Sequence, residues 1–343
     1  MVGIRRIPSL DGARALSIAL VITGHANWNK VYPIIWRFEY WNLGVRIFFV
    51  ISGFLITTLL LEEYKRTGRV SLPQFYVRRA FRILPAAYVY VAVIVALIPL
   101  GVRMEYGDVL PVVFYYANYV GHHGMSDVGQ FWSLSVEEQF YFLWPAALAF
   151  LGIRRGLYGC LALLILAPAF RLISSVGLLP PTPGSFETVC DALATGCLLA
   201  MLRDELWSLS LYRRLIEGPG ALIVALSGII LSCRGIPTQI ISVAGIPILN
   251  MGVAMLLDRY MRMPQTVTGR ILNLAPIVWI GTVSYSLYLW QQPWMFSRLP
   301  MVIRISGAFV CAALSLYLVE KPMLRMRRRL HARSQLTPML PSV

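Results

Sequence analysis

Charge is scarce in this chain, and acidic charge scarcest: 16 Asp and Glu stand against 31 Lys and Arg in 343 residues. Only 14% of positions are charged while 57% are hydrophobic, and mean hydropathy is +0.65. That balance excludes an ordinary soluble domain. The five cysteines (Cys160, Cys190, Cys197, Cys233 and Cys311) fall in apolar runs without a C-x-x-C pair, so they read as packing residues and not as disulfides or zinc ligands. Zinc-finger spacing, basic helical arms and RNP-type segments are missing, which removes nucleic acid as a partner despite a net charge of +15. No internal repeat and no inverted pair of broken helices is present, an arrangement transporters commonly use.

Long apolar runs are abundant. They predict an all-α, polytopic integral membrane protein, with runs at 14–30, 41–61, 83–101, 109–121, 134–153, 157–176, 187–202, 219–233, 238–257, 272–291 and 303–320. The first run carries Arg14 and ends in Gly24-His25-Ala26-Asn27 without a small-residue cleavage site, so it reads as a retained span. The basic N-terminus and the tail beginning at Lys321 both read as cytoplasmic, which requires an even number of spans. The weakest run is 109–121: thirteen residues of helix rise only about 20 Å against a hydrocarbon core of about 30 Å. It also contains Pro111 and Asn118. Omitting it gives about ten spans and makes 102–133 a long outer loop. Of the 31 basic residues, 22 then fall on the cytoplasmic side, six outside (Lys30, Arg37, Arg103, Arg234, Arg298 and Arg304) and three within spans (Arg14, Arg46 and Arg171). This is a strong positive-inside bias. Residues 1–322 read as one transmembrane domain and 323–343 as a basic, disordered cytoplasmic tail.

Polar groups inside spans mark the chemistry. Arg14 and His25 are eleven residues apart, about three turns plus 20°, so they share one helix face roughly 16 Å apart along the axis. The spacing fits a functional pair equally with a snorkelling Arg14 held by Asp11 and a His25 satisfied by a neighbouring helix. At the cytoplasmic surface, Arg78, Arg79 and Arg82 suit ligand phosphates, or serve as positive-inside anchors or an anionic-lipid contact. Phe131–Pro145 (FWSLSVEEQFYFLWP) carries Glu137, Glu138 and Gln139 into a span from the outer side. Ser135 and Glu138 could form a capping box, which accounts for one Glu more easily than for two. Glu187 and Asp191 enter the span at 187–202 in the same way, and these segments could line an outer vestibule for hydroxyl-rich ligands. Trp132, Trp290 and Trp294 lie near it, as an interfacial aromatic belt also would. His122 and His123 alone make a poor metal site, and no metal is assigned. Ser52, in Ile51-Ser-Gly-Phe54, reads as part of a close helix contact before it reads as a nucleophile.

Taken together, the chain resembles the acyltransferase-3 family of integral-membrane acyltransferases along essentially its whole length. The resemblance rests on an ordered series: Pro8–Ile18 (PSLDGARALSI) with the Arg-x10-His pair Arg14 and His25; Gly44–Leu60 (GVRIFFVISGFLITTLL); Arg78, Arg79 and Arg82; Phe131–Pro145; Asp191–Gly196 (DALATG); Ser284–Pro293 (SYSLYLWQQP); and Val319–Pro322 (VEKP). Two positions depart from it. Arg46 stands where members often carry an acidic residue, and Gln291 where some carry His. Many members continue into an extracytoplasmic SGNH-type domain; this sequence stops about twenty residues after its last span, so a stand-alone type is expected.

The resemblance implies O-acyl transfer, with acetyl-CoA or another acyl-CoA as donor and a hydroxyl of a carbohydrate or lipid-linked saccharide as acceptor. The implied setting is a bacterial plasma (inner) membrane. Arg78, Arg79 and Arg82 are then expected to bind the donor's phosphates. His25 would act as general base or transient acyl carrier, Arg14 would hold the donor or stabilise developing charge, and Glu138 and Asp191 would orient the acceptor or the imidazole. Trp132, Glu137, Glu187 and Gln291 are the expected acceptor contacts, and a separate extracytoplasmic acyltransferase is a further possible partner. Two other classes compete on the sequence: a proton-coupled transporter of a small organic solute using Arg14 and His25, and a membrane scaffold with no need of an intramembrane histidine.

Overall fold

The computed structural model describes residues 7–26, 40–120, 126–180 and 183–336. Arg5, Arg6, Lys30, Arg37, His122 and His123 lie outside the described residues. Within them the chain is helical and contains no strand. In order come α1 (Pro8–His25), α2 (Tyr40–Thr67), α3 (Leu72–Leu97), the short α4 (Val109–Val113), α5 (Phe131–Leu151), α6 (Ile153–Ser175) and α7 (Phe186–Ser208). Then follow α8 (Ser210–Glu217), α9 (Gly220–Leu231), α10 (Thr238–Ile240), which runs through a π-turn into α11 (Ile246–Arg262), α12 (Val267–Leu272), α13 (Ala275–Met295), and α14 (Met301–Leu314), which a second π-turn joins to α15 (Lys321–Leu336).

Among the described residues, five helical stretches are long and apolar enough to cross a membrane: Asn42–Thr67, Leu72–Leu100, Ile153–Ser175, Thr238–Arg262 and Met301–Leu330. The pair α8 and α9, bent by 79°, makes a sixth if counted as one span. The long helices left out are α1, α5, α7 and α13. Their length is sufficient, but they carry Arg14 and His25, Glu137 and Glu138, Glu187 and Asp191, and Gln291 and Gln292. Polar residues turned inward lower the apolarity of the helices that hold them. The described residues of segment 109–121, which end at 120, form no long helix: α4 has five residues and is followed by a 3-10 turn at Ala117–Tyr119. Pro111, as the third residue of α4, sits where its missing N–H costs nothing. At the other end, helix continues to Leu336, beyond the point where composition turns basic.

Glycine sets the closest approach in the bundle. A Cβ on Gly53 of α2 would strike the Leu193 carbonyl of α7, and one on Gly196 of α7 would strike the Val50 carbonyl of α2. The two backbones therefore touch at a reciprocal pair of small residues, a device that replaces the missing hydrophobic drive between helices in lipid. Cys197 packs in the same seam, its thiol 3.6 Å from the Gly53 carbonyl. Ser52-Gly53 thus serves two purposes, with glycine in the seam and serine turned toward the interior. Against α1, α13 packs closely as well, its Gly281 lying on the backbone of Asp11. α1 is accordingly held between α2 and α13.

Candidate functional site

Five helices enclose a narrow cavity of about 80 Å³. Each contributes through its own periodicity. On α5, Ser133, Leu134, Glu137, Glu138 and Tyr141 follow the three-and-four spacing of one face; on α13, Gly281, Ser284, Tyr285 and Tyr288 do the same. α3 presents Arg79 and Arg82, α2 presents Ser52 one turn after Phe48 and Phe49, and α1 presents Arg14. Three guanidiniums and two carboxylates therefore face one small space, with cations in excess. Arg79 spans its wall, with the guanidinium 3.5 Å above the Tyr141 ring and Nε 3.9 Å from Glu138 Oε1. Ser52 Oγ donates to Glu137 Oε1 at 2.6 Å. Tyr288 and Ser133 meet hydroxyl to hydroxyl at 2.5 Å.

His25 sits further along α1, outside this lining. Its Nδ1 is 3.1 Å from Gln291 Oε1, and its ring stands edge-on to Phe296 with centroids 5.7 Å apart. In the tautomer whose Nδ1 donates to this carboxamide oxygen, Nε2 is the basic nitrogen. Gln291 follows the cavity residue Tyr288 by three residues on α13, a rise of about 4.5 Å. The imidazole therefore lies one helical turn beyond the end of the cavity. A layer of buried amides surrounds that turn: Gln130 donates through its backbone to Gln292 Oε1 at 3.0 Å and through Nε2 to the Leu289 carbonyl at 2.8 Å. Gln291 Nε2 and Gln130 Oε1 are buried without a hydrogen-bond partner among the described residues.

The structure thus brings together Arg14, Arg79, Arg82, Glu137 and Glu138, with His25 and Gln291 just beyond them. It places the other expected site residues elsewhere. Arg78 turns about 100° away from Arg79 and pairs at 2.9 Å with Glu63, which also accepts from the Ser71 backbone. Asp191 is buried in a cluster of its own, 2.8 Å from Arg171 Nη2 and 3.7 Å from Arg46 Nη1. Arg46 also reaches Asn250 Oδ1 at 3.4 Å, and Arg171 donates to the carbonyls of Thr188 and Ser242. This cluster joins α2, α6, α7 and the start of the α10–α11 helix, and Asp191 does not line the cavity. Glu187 accepts from Tyr119 Oη at 3.0 Å on the loop before α5. Partial burial and the neighbouring carboxylate push the Tyr119 phenol up to about 12, so it remains a neutral donor. Trp132 packs edge-on to Phe49 and borders a separate void of about 20 Å³.

Sequence reasoning passed over Tyr141, Ser133, Tyr285, Tyr288 and Gln130. Helical spacing was the available signal: Tyr141 follows Glu137 by four residues, and Tyr288 precedes Gln291 and Gln292 by three and four.

The chain is 28% identical to the peptidoglycan O-acetyltransferase OatA of Listeria monocytogenes, over 92% of its own length and 55% of that protein. It is 30% identical to the putative peptidoglycan O-acetyltransferase YrhL of Bacillus subtilis, over 93% and 55%. To the O-acetyltransferase OatA of Staphylococcus aureus it is 28% identical, over 84% and 50%. The chain spans about half the length of the curated relatives it matches. No solved structure gives a significant match. Residues 7–319 match the acyltransferase domain of the acyltransferase-3 family, and the chain belongs to that family.

Proposed function

We propose that this protein is a membrane O-acyltransferase that moves an acyl group, acetyl first among them, from cytoplasmic acyl-CoA to a carbohydrate hydroxyl. The relatives named for peptidoglycan make a peptidoglycan hydroxyl the first acceptor to test. One observation carries the reading: Arg14, Arg79 and Arg82 converge on a cavity that ends one helical turn short of His25. Ten spans in a bacterial plasma membrane, with both termini cytoplasmic, put the arginine-bearing ends of α1 and α3 on the side where acyl-CoA is made. The charge distribution supports that orientation.

In this reading Arg14, Arg79 and Arg82 hold donor phosphate oxygens at the cytoplasmic end of the cavity, and the thioester reaches along α1 toward His25. A sugar hydroxyl is a weak nucleophile, and His25 Nε2 takes its proton. The C–S bond breaks, the ester C–O bond forms, and the proton leaves with the CoA thiolate as free thiol. If His25 is first acylated, Nε2 attacks the thioester itself and the acceptor then attacks the acyl-imidazole, releasing the same products. The acyl group passes to the acceptor directly, or by way of a separate extracytoplasmic acyltransferase.

Proteoliposomes given [14C]acetyl-CoA test the reading. Label should appear on a saccharide acceptor or transiently on the protein, with stoichiometric release of CoA. Label on neither, at full protein level and with partner and acceptor supplied, would refute it.

A further inference from the structure

A second, larger cavity of about 520 Å³ lies between α3 and α5. It shares Arg79, Glu138 and Tyr141 with the first, so the two are separated by one layer of side chains. Its inner end is polar: Gln139 is fixed there by Asn118 and by the Tyr115 carbonyl, 2.8 and 2.9 Å away. Its rim is apolar, formed by Leu84, Phe114 and Phe142. Phe114 and Phe142 are 69% and 66% exposed. α3 belongs to a membrane-capable stretch only a third of which is buried within the protein, so this rim faces hydrocarbon.

The segment carrying Phe114 and Tyr115 forms the cavity's outer wall. Val113 accepts from Tyr88 of α3 at 3.4 Å and the Ala117 N–H reaches Ser135 of α5 at 3.2 Å. Tyr115 is held at φ 53°, a left-handed conformation that a bulky side chain adopts only when its surroundings force it. Arg79 and Glu138, which line both cavities, keep 20% and 19% of their side chains exposed, so a polar ligand in the cavity meets charged groups of both signs at its inner wall.

We infer that this cavity is the binding site for a glycolipid acceptor that enters sideways from the bilayer. Its hydrocarbon chain lies on Leu84, Phe114 and Phe142, and its sugar hydroxyls meet Tyr115, Gln139 and Glu138. The shared wall of Arg79 and Tyr141 separates those hydroxyls from the donor cavity, and the hydroxyl that is acylated belongs to a part of the saccharide further along α5, toward His25. This assignment rests on the acyl-transfer reading above, and its test does not depend on turnover.

The probe is a decyl glucoside carrying a diazirine on its alkyl chain and an alkyne on its sugar. It is photolysed with the full chain in nanodiscs, and the labelled peptides are mapped by mass spectrometry. Cross-links should concentrate in 76–84 and 114–142 of the unaltered protein, and excess dodecyl maltoside should suppress them. Ala80→Trp and Leu84→Trp, each filling the apolar part, should lower labelling at least tenfold while [14C]acetyl-CoA binding stays within twofold. Label spread over other helices, or insensitive to the competitor, overturns the site and leaves the transfer reading intact. Loss of acetyl-CoA binding in both monodisperse tryptophan variants would also overturn it, by assigning the cavity to the donor.

Discussion

Ser52 of α2 and Glu137 of α5 meet inside the polar cavity at 2.6 Å, the serine hydroxyl donating to the carboxylate. The contact ties the FFVISGF stretch to the EEQ stretch, two segments 85 residues apart. Hydrogen bonds to a charged group contribute about 1.5–3 kcal/mol. Ser52→Ala should therefore misplace Glu137 and lower transfer by roughly one order of magnitude, whereas Glu137→Ala should cost more because it also removes charge facing Arg14. Steady-state rates on equal amounts of folded protein check the order. A larger loss for Ser52→Ala than for Glu137→Ala would give the serine a direct chemical role.

The basic triplet should split under mutation. Arg79 and Arg82 line the cavity, whereas Arg78 faces Glu63 with its side chain 37% exposed. Arg79→Ala and Arg82→Ala are expected to raise the KM for acetyl-CoA at least tenfold. Arg78→Ala removes a half-exposed pair worth at most about 1 kcal/mol and should leave KM within threefold. Equal effects at all three would contradict the cavity as the donor site.

Asp191 should matter to stability before it matters to turnover. Removing one partner from a buried ion cluster costs about 3–5 kcal/mol because the remaining charges are left uncompensated. Asp191→Asn should lower the melting temperature in detergent clearly, and the surviving folded fraction should keep its KM for acetyl-CoA. A changed KM at unchanged melting temperature would place Asp191 in the reaction instead.

The α2–α7 seam gives a prediction without chemistry. Gly53→Val or Gly196→Val forces the two backbones apart, and each should abolish the monodisperse peak on size-exclusion chromatography. Cys197→Ala, which keeps a small side chain in that seam, should be tolerated.

Much of this was legible in the sequence, for identifiable reasons. Apolar runs and basic loops follow from the bilayer itself, so the helices were found where the runs lie, and the one run too short for a span, 109–121, forms no long helix. Charged residues within apolar helices also stand out, and Arg14, Arg79, Arg82, Glu137 and Glu138 came together. What periodicity does not supply is the partner across the helix interface. Arg78 and Arg79 are adjacent in sequence yet point about 100° apart, and only the position of α5 decides which faces the cavity. Asp191 looked equivalent to Glu138, but its neighbours are Arg171 and Arg46. The lateral cavity was hidden for the same reason: it is made by a loop folding back between α3 and α5.

The central claim is that His25 performs the transfer from a position one turn beyond the donor cavity. The direct measurement is [14C]acetyl transfer by His25→Ala in proteoliposomes, alongside acetyl-CoA binding by the same preparation. General-base catalysis contributes about 10²–10⁴-fold, so transfer should fall by at least two orders of magnitude while donor binding is retained. Transfer within tenfold of the unaltered protein, at equal folded protein, would contradict the account.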